Sequence, residues 1–224
     1  MSGNHSTLVT PGEGGLVKLP ESLPARLYLL AYDTEKNRMT AGSQLGLVLR
    51  AAALADLYLT ERLTDEAGKA RVAAGGRPTG DPVLDDLARQ VADSRPRRWH
   101  RWIGRQERGT VRAVREQLED QRCIRVNHRA ILPDKVELRD RRAVKEYADS
   151  VRAALRQPAA RADARTAAVL ALAARGEVKT VVSRRERREY GKRLDELAVY
   201  TGPVADALRK ALRTKRAAVA SAAG

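Results

Sequence analysis

The chain has 224 residues, a formal net charge of +15 from 43 basic and 28 acidic side chains, and a hydrophobic fraction of 43%. That length and apolar content support one generous domain, while the absence of Phe and an aromatic content of 4% argue against a β-sandwich and leave Leu, Val and Ala to fill a helical core. The lone Cys123 excludes an internal disulfide, the longest apolar stretch (Leu45 to Leu59, interrupted by Arg50 and Asp56) is too short to span a bilayer, and the positive excess favours polyanionic partners.

Residues 1–18, rich in Gly, Ser and Thr, are expected to form a disordered tail, without the basic start and apolar run of a signal peptide. Order is expected from Leu19, with a helix capped by Ser22 that carries Leu27, Leu29 and Leu30. Asp33 to Asn37 is a polar turn. A helix over Gly42 to Leu63 is apolar nearly all round and so is expected at the centre of the core. Thr64 to Val72 reads as two short strands around the turn Glu66-Ala67-Gly68-Lys69. Asp81-Pro82 is a helix start, because Asp81 can accept free N–H groups and Pro82 has no donor to leave unpaired; that helix passes Leu84, Leu87 and Val91 and stops before Pro96.

Arg101, Arg105, Arg108, Arg112 and Arg115 follow, spaced four, three, four and three apart. At about 100° per residue this rhythm gathers them on one side of a helix, with Val111, Val114 and Leu118 on another. Gly104 and Gly109 leave open whether the segment is one helix or two. Trp99 and Trp102 are expected to pack into the core beside Ile103. Ile124 to Val126 and Ile131 to Leu138 are extended candidates, and helices are expected over about Arg142 to Leu155, Asp163 to Ala174, Glu186 to Tyr200 and Pro203 to Lys215, with a flexible tail at 216–224. The fold class is mainly α: a single multi-helix domain with small β-hairpins.

Planar guanidinium groups suit phosphate better than ammonium groups do, so the arginine stripe points to a phosphate-bearing partner. Arg50 is the only charge between Leu45 and Ala55, so it must be paired or reach the surface; Asp56 and Asp85 are the candidate structural partners. His5, His100 and His128 show no metal-ligand spacing, and Gly12 to Gly15 lacks a preceding strand for a phosphate loop, so no enzyme, metal site or cofactor is expected.

Leu19-Pro20-Glu21-Ser22-Leu23 through Leu30, Leu49-Arg50-Ala51-Ala52-Ala53-Leu54-Ala55-Asp56-Leu57 through Leu63, and Pro78-Thr79-Gly80-Asp81-Pro82-Val83-Leu84-Asp85 occur in an order that resembles the Golgi phosphoprotein 3 family, which has many bacterial members. The resemblance spans about residues 19–215. It implies a largely helical domain with a protruding hairpin, and a peripheral membrane protein that binds anionic phospholipid headgroups, phosphatidylinositol 4-phosphate among them, in a basic pocket. Carried over by position, the pocket arginines are Arg50 and, among Arg108, Arg112 and Arg115, those of the later helix. The family's tryptophan falls near Ala41, where no aromatic stands, and its basic N-terminal tail has no counterpart before Lys18, so headgroup selectivity and the trafficking role do not carry over. The hairpin at 130–138 is implied to touch membrane or a protein partner, a second copy included; Asp134, Lys135, Glu137 and Arg139 argue against deep insertion.

The expected location is the cytoplasmic side of an inner membrane, with an anionic phospholipid surface as partner. Two other readings are kept. Helix, helix and hairpin over Gly42 to Val72 could pass for a winged helix that binds nucleic acid, and the charge also suits an adaptor for acidic protein tails.

Overall fold

A computed structural model describes residues 19–129, 134–158 and 161–222. The expected N-terminal tail, and residues 130–133 of the expected hairpin, lie outside the described residues.

The centre of the fold is α2 (Leu45–Leu59), in which every residue from Leu45 to Leu57 is buried. It is enclosed by α1 (Leu23–Leu30), α3 (Pro82–Ala92), α4 (Trp99–Ile103), α5 (Glu107–Asp120), α7 (Ala164–Arg175) and α10 (Val204–Ala222). A run of small residues, Ala51-Ala52-Ala53, lets neighbours approach from all sides, and the core is built from Leu, Val and Ala as expected. The approach to α5 is close: a methyl group added at Gly46 would lie 2.7 Å from the carbonyl oxygen of Glu107. Lys215 of α10 locks the same corner, donating to the Ser43 carbonyl at 2.6 Å and pairing with Glu107.

Around this centre, among the described residues, run α6 (Arg141–Leu155), α8 (Arg184–Glu189), α9 (Gly191–Ala198) and the 3-10 turns Gly42–Gln44 and Val199–Thr201. Among the described residues, three small antiparallel sheets lie at the periphery: β1 (Tyr32–Asp33) with β2 (Arg38–Met39), β3 (Leu63–Glu66) with β4 (Lys69–Val72) and β5 (Arg97–Arg98), and β6 (Ile124–Asn127) with β7 (Lys135–Leu138). The architecture is therefore mainly α, with small strand pairs.

Several elements differ from the sequence reading. The central helix gives way at Thr60, where Glu61 takes a positive φ of 56° and Leu63 starts β3 instead of extending the helix. Strand β5 has no counterpart in the sequence reading, because two residues carry no readable alternation. The segment expected as one helix from Glu186 to Tyr200 breaks at Tyr190-Gly191 into α8 and α9. Residues 216–222 are helical where a flexible tail is expected, since α10 runs to Ala222 on alanine propensity well past its last buried residue, Leu212. The arginine-bearing segment is two helices, separated at Gly104 to Gln106, while Gly109 sits inside α5.

Other expectations hold. Asp81 caps α3 by accepting from the N–H groups of Val83 and Leu84, both at 3.0 Å, and Pro82 occupies the first turn. Trp99 and Trp102 are both buried; Trp99 donates its indole N–H to Asp65 at 2.6 Å and meets Tyr58 edge-on.

Candidate functional site

Arg50 sits halfway along a helix with no solvent-facing side, and only 3% of it is exposed. Its Nε donates to the carbonyl of Trp102 at 3.2 Å and its Nη2 to the side-chain carbonyl of Gln90 at 2.6 Å. Neither carboxylate nominated from the sequence meets it. Asp56 instead accepts from the buried N–H of Leu23 at 2.7 Å and pairs with Arg165 at 2.9 Å, joining α1, α2 and α7. Asp85 accepts from the N–H and hydroxyl of Thr79 and from the N–H of Gly80, closing the turn before α3.

Among the described residues, then, Arg50 has no ion-pair partner, and its remaining terminal nitrogen has no protein acceptor. Burying a guanidinium without a carboxylate is costly, and the cost shows as a pKa lowered to about 10, chiefly by desolvation, with the Asp86 charge opposing and Arg105 assisting. The side chain is still a cation at neutral pH.

Arg50 lines a surface cavity of about 410 Å³ between α3 and α5. The α5 side presents Gly109, Arg112, Ala113, Glu116 and Asp120 to it, a set one helical turn apart. Arg112 is 72% exposed at the rim and pairs loosely with Glu116 at 3.7 Å, a geometry and exposure worth little in stability. The α3 side contributes Asp86, whose Oδ2 accepts from the Gln90 side-chain amide at 2.6 Å. Gln90 thus links a cation on one side to an anion on the other through its two amide ends.

Of the residues nominated from the sequence, Arg50 and Arg112 line one cavity. Arg108 and Arg115 do not: Arg108 is exposed outside the cavity lining, and Arg115 pairs with Asp134 at 3.0 Å. Helical rhythm placed three arginines on one side of α5, but the cavity opens toward only one edge of that side. Arg105 lies over the Trp102 ring, 5.9 Å from its centre. Gln90 was missed by sequence reading; its one signal was the i, i+4 spacing from Asp86.

Three larger cavities lie elsewhere, and two of them bear on the sequence reading. One, about 710 Å³, is lined by Lys36, Arg38, Lys145, Arg152 and Lys179 interleaved with Asp33, Glu35 and Glu177. Ala41 lines this cavity and not the one at Arg50. The other, about 730 Å³, surrounds the Asp56–Arg165 pair and the Asp81 cap, groups already engaged in holding helices together. Neither is lined by a fully buried charge without a counter-ion, which sets the Arg50 cavity apart; Arg62 in the second leaves its Nε unpaired but is only half-buried.

Among the described residues no group of three His, Cys, Asp or Glu side chains could hold a metal ion, and no helix is long and apolar enough to cross a membrane. A winged-helix reading would need α2 in a DNA groove, yet it is buried on every side from Leu45 to Leu57 and has no face to offer base edges. The family model described as Golgi phosphoprotein 3 (GPP34) matches residues 23–214. No curated protein matches the chain.

Proposed function

Because the chain belongs to the Golgi phosphoprotein 3 family, we propose that it is a peripheral membrane protein that grips phospholipid headgroup phosphate at the cavity lined by Arg50 and Arg112. Family membership is consistent with lipid binding in general; the pocket, its residues and the membrane surface are our reading. The observation that carries it is the buried Arg50 guanidinium, held by neutral acceptors and left with donor capacity at a surface cavity. A preorganised donor of this kind favours an oxyanion without first breaking a salt bridge.

The net charge of +15 supplies long-range attraction to an anionic bilayer, where each basic residue close to the surface contributes about 1 kcal/mol. Arg108 and Arg115 belong to the proposal as outer contacts with neighbouring headgroups, outside the cavity itself. Phosphatidylinositol 4-phosphate is the ligand that the family resemblance implies.

Flotation with phosphatidylglycerol vesicles over a salt series, beside a DNA mobility shift, separates this reading from a nucleic-acid one. Wild-type protein is expected to float and to lose binding as salt rises. Arg50→Met and Arg112→Gln are each expected to weaken flotation about tenfold. Tight DNA binding with no association to any vesicle would overturn the proposal.

A further inference from the structure

The Arg50 cavity is not simply basic. Two guanidinium groups line it, Arg50 and Arg112, against three carboxylates, Asp86, Glu116 and Asp120. A ligand carrying only negative charge would gain at one end and lose at the other. A multiply charged inositol phosphate is the worst matched of the common headgroups to such a lining.

The two signs are also kept apart. Gln90 stands between Arg50 and Asp86, accepting from the first and donating to the second, both at 2.6 Å, so they do not collapse into one neutral pair. On the α5 side, Asp120 has no ion-pair partner among the described residues. The cavity therefore offers a buried cationic floor with an unused donor and an open anionic wall.

Resting on the headgroup reading above, we infer that the ligand recognised here is a phosphate ester bearing a nearby primary ammonium, the phosphoethanolamine class. Its phosphate meets Arg50 and Arg112, and its ammonium meets Asp120 and Asp86. A primary ammonium fits better than a quaternary one for two reasons. Three N–H donors can be met by carboxylates, and the cavity lining contains no aromatic ring of the kind that recognises choline. Attraction to the membrane and choice of headgroup are then separate: overall charge brings the protein to an anionic surface, and the cavity reads a zwitterion within it.

The test uses full-length protein and vesicles with one fixed fraction of phosphatidylglycerol, the remainder being either phosphatidylethanolamine or phosphatidylcholine. Surface charge is the same in both. Binding is expected to be about fivefold tighter with phosphatidylethanolamine, the worth of one exposed ion pair. Asp120→Asn, an exposed change at the end of α5, is expected to reduce that preference below twofold. In solution, O-phosphoethanolamine is expected to compete better than glycerol 3-phosphate with wild-type protein, and no better with Asp120→Asn.

Equal binding to the two vesicle types overturns the inference and leaves the phosphate reading intact. A preference that survives in Asp120→Asn also overturns it, because bilayer packing and not the cavity would then be its source. So does stronger binding to phosphatidylinositol 4-phosphate vesicles than to phosphatidylethanolamine ones at matched surface charge. Absence of binding to every vesicle removes both the inference and the headgroup reading.

Discussion

Arg50 and Asp86 line the same cavity without touching, because the side-chain amide of Gln90 spans the gap, 2.6 Å from each. A direct pair would cancel both charges. The amide leaves a guanidinium that is buried, oriented and still able to donate, and the functional account follows from that arrangement.

The relationship makes Gln90→Glu informative. A carboxylate at this position would pair with Arg50 and neutralise it from inside the protein. Thermal stability is expected to change little, because the new pair with Arg50 is offset by repulsion from Asp86, which loses the Gln90 amide donor, while vesicle binding falls about tenfold. Arg50→Met keeps the apolar stem but leaves the Gln90 carbonyl without its donor and takes one donor from the Trp102 carbonyl, which still accepts from the Arg105 N–H; a loss of about 1–2 kcal/mol in chemical denaturation is expected, with the fold retained. Binding that tracks stability across both variants would show Arg50 to be scaffold only.

The Asp56–Arg165 pair is the structural counterpart. Asp56 is fully buried, and it holds the first N–H of α1 as well as the guanidinium of α7. Asp56→Ala leaves that N–H unpaired and is expected to cost about 3 kcal/mol, lowering Tm by roughly 6–12 °C. Burial raises the Asp56 pKa, and the Leu23 N–H and Arg165 only partly offset this. A raised folded-state pKa in an acid means that the native state holds its proton to higher pH than the unfolded chain, so this group's contribution falls as pH rises through that value. In Arg165→Met the offset is gone. Its deficit relative to wild type is expected to be largest at neutral pH and to shrink on acidification, read as Tm against pH.

Three surface carboxylates act in the opposite direction. Burial pushes Asp85, Asp163 and Glu186 upward, but hydrogen bonds from Thr79 and Gly80, from Thr166, and from Ser183 outweigh it and hold each below its ordinary value. Their stabilisation is complete above about pH 4–5 and is lost as pH falls through the folded-state values. Wild-type Tm is therefore expected to drop on the acid side, and Asp85→Asn is expected to flatten that limb while lowering Tm at pH 7.

How much of this was legible in the sequence depended on range. The α3 start was readable because Asp81-Pro82 acts within its own turn. The central helix was readable because apolar residues on every side leave burial as the only solution. Arg50 was conspicuous as the one charge between Leu45 and Ala55. Its partners were not, since Gln90 and Trp102 are separated from it by 40 and 52 positions and carry no signature of their own. The same holds for Arg165, which is 109 positions from Asp56. Periodicity placed Arg108, Arg112 and Arg115 on one side of a helix but could not say what stood opposite each, and Asp134 engages Arg115 while the cavity opens beside Arg112. The last turns of α10 were read as a tail because they bury nothing, although their alanines favour helix without any burial.

The most direct measurement is a titration of isotope-labelled protein with a soluble short-chain phospholipid, following the arginine Nε–H resonances. The account predicts that Arg50 and Arg112 shift together and saturate at one midpoint, and that Gln90→Glu abolishes the shift at Arg112 as well as at residue 50. Shifts confined to Arg38 and Arg152 at the other basic cavity, with Arg50 unmoved, would contradict it.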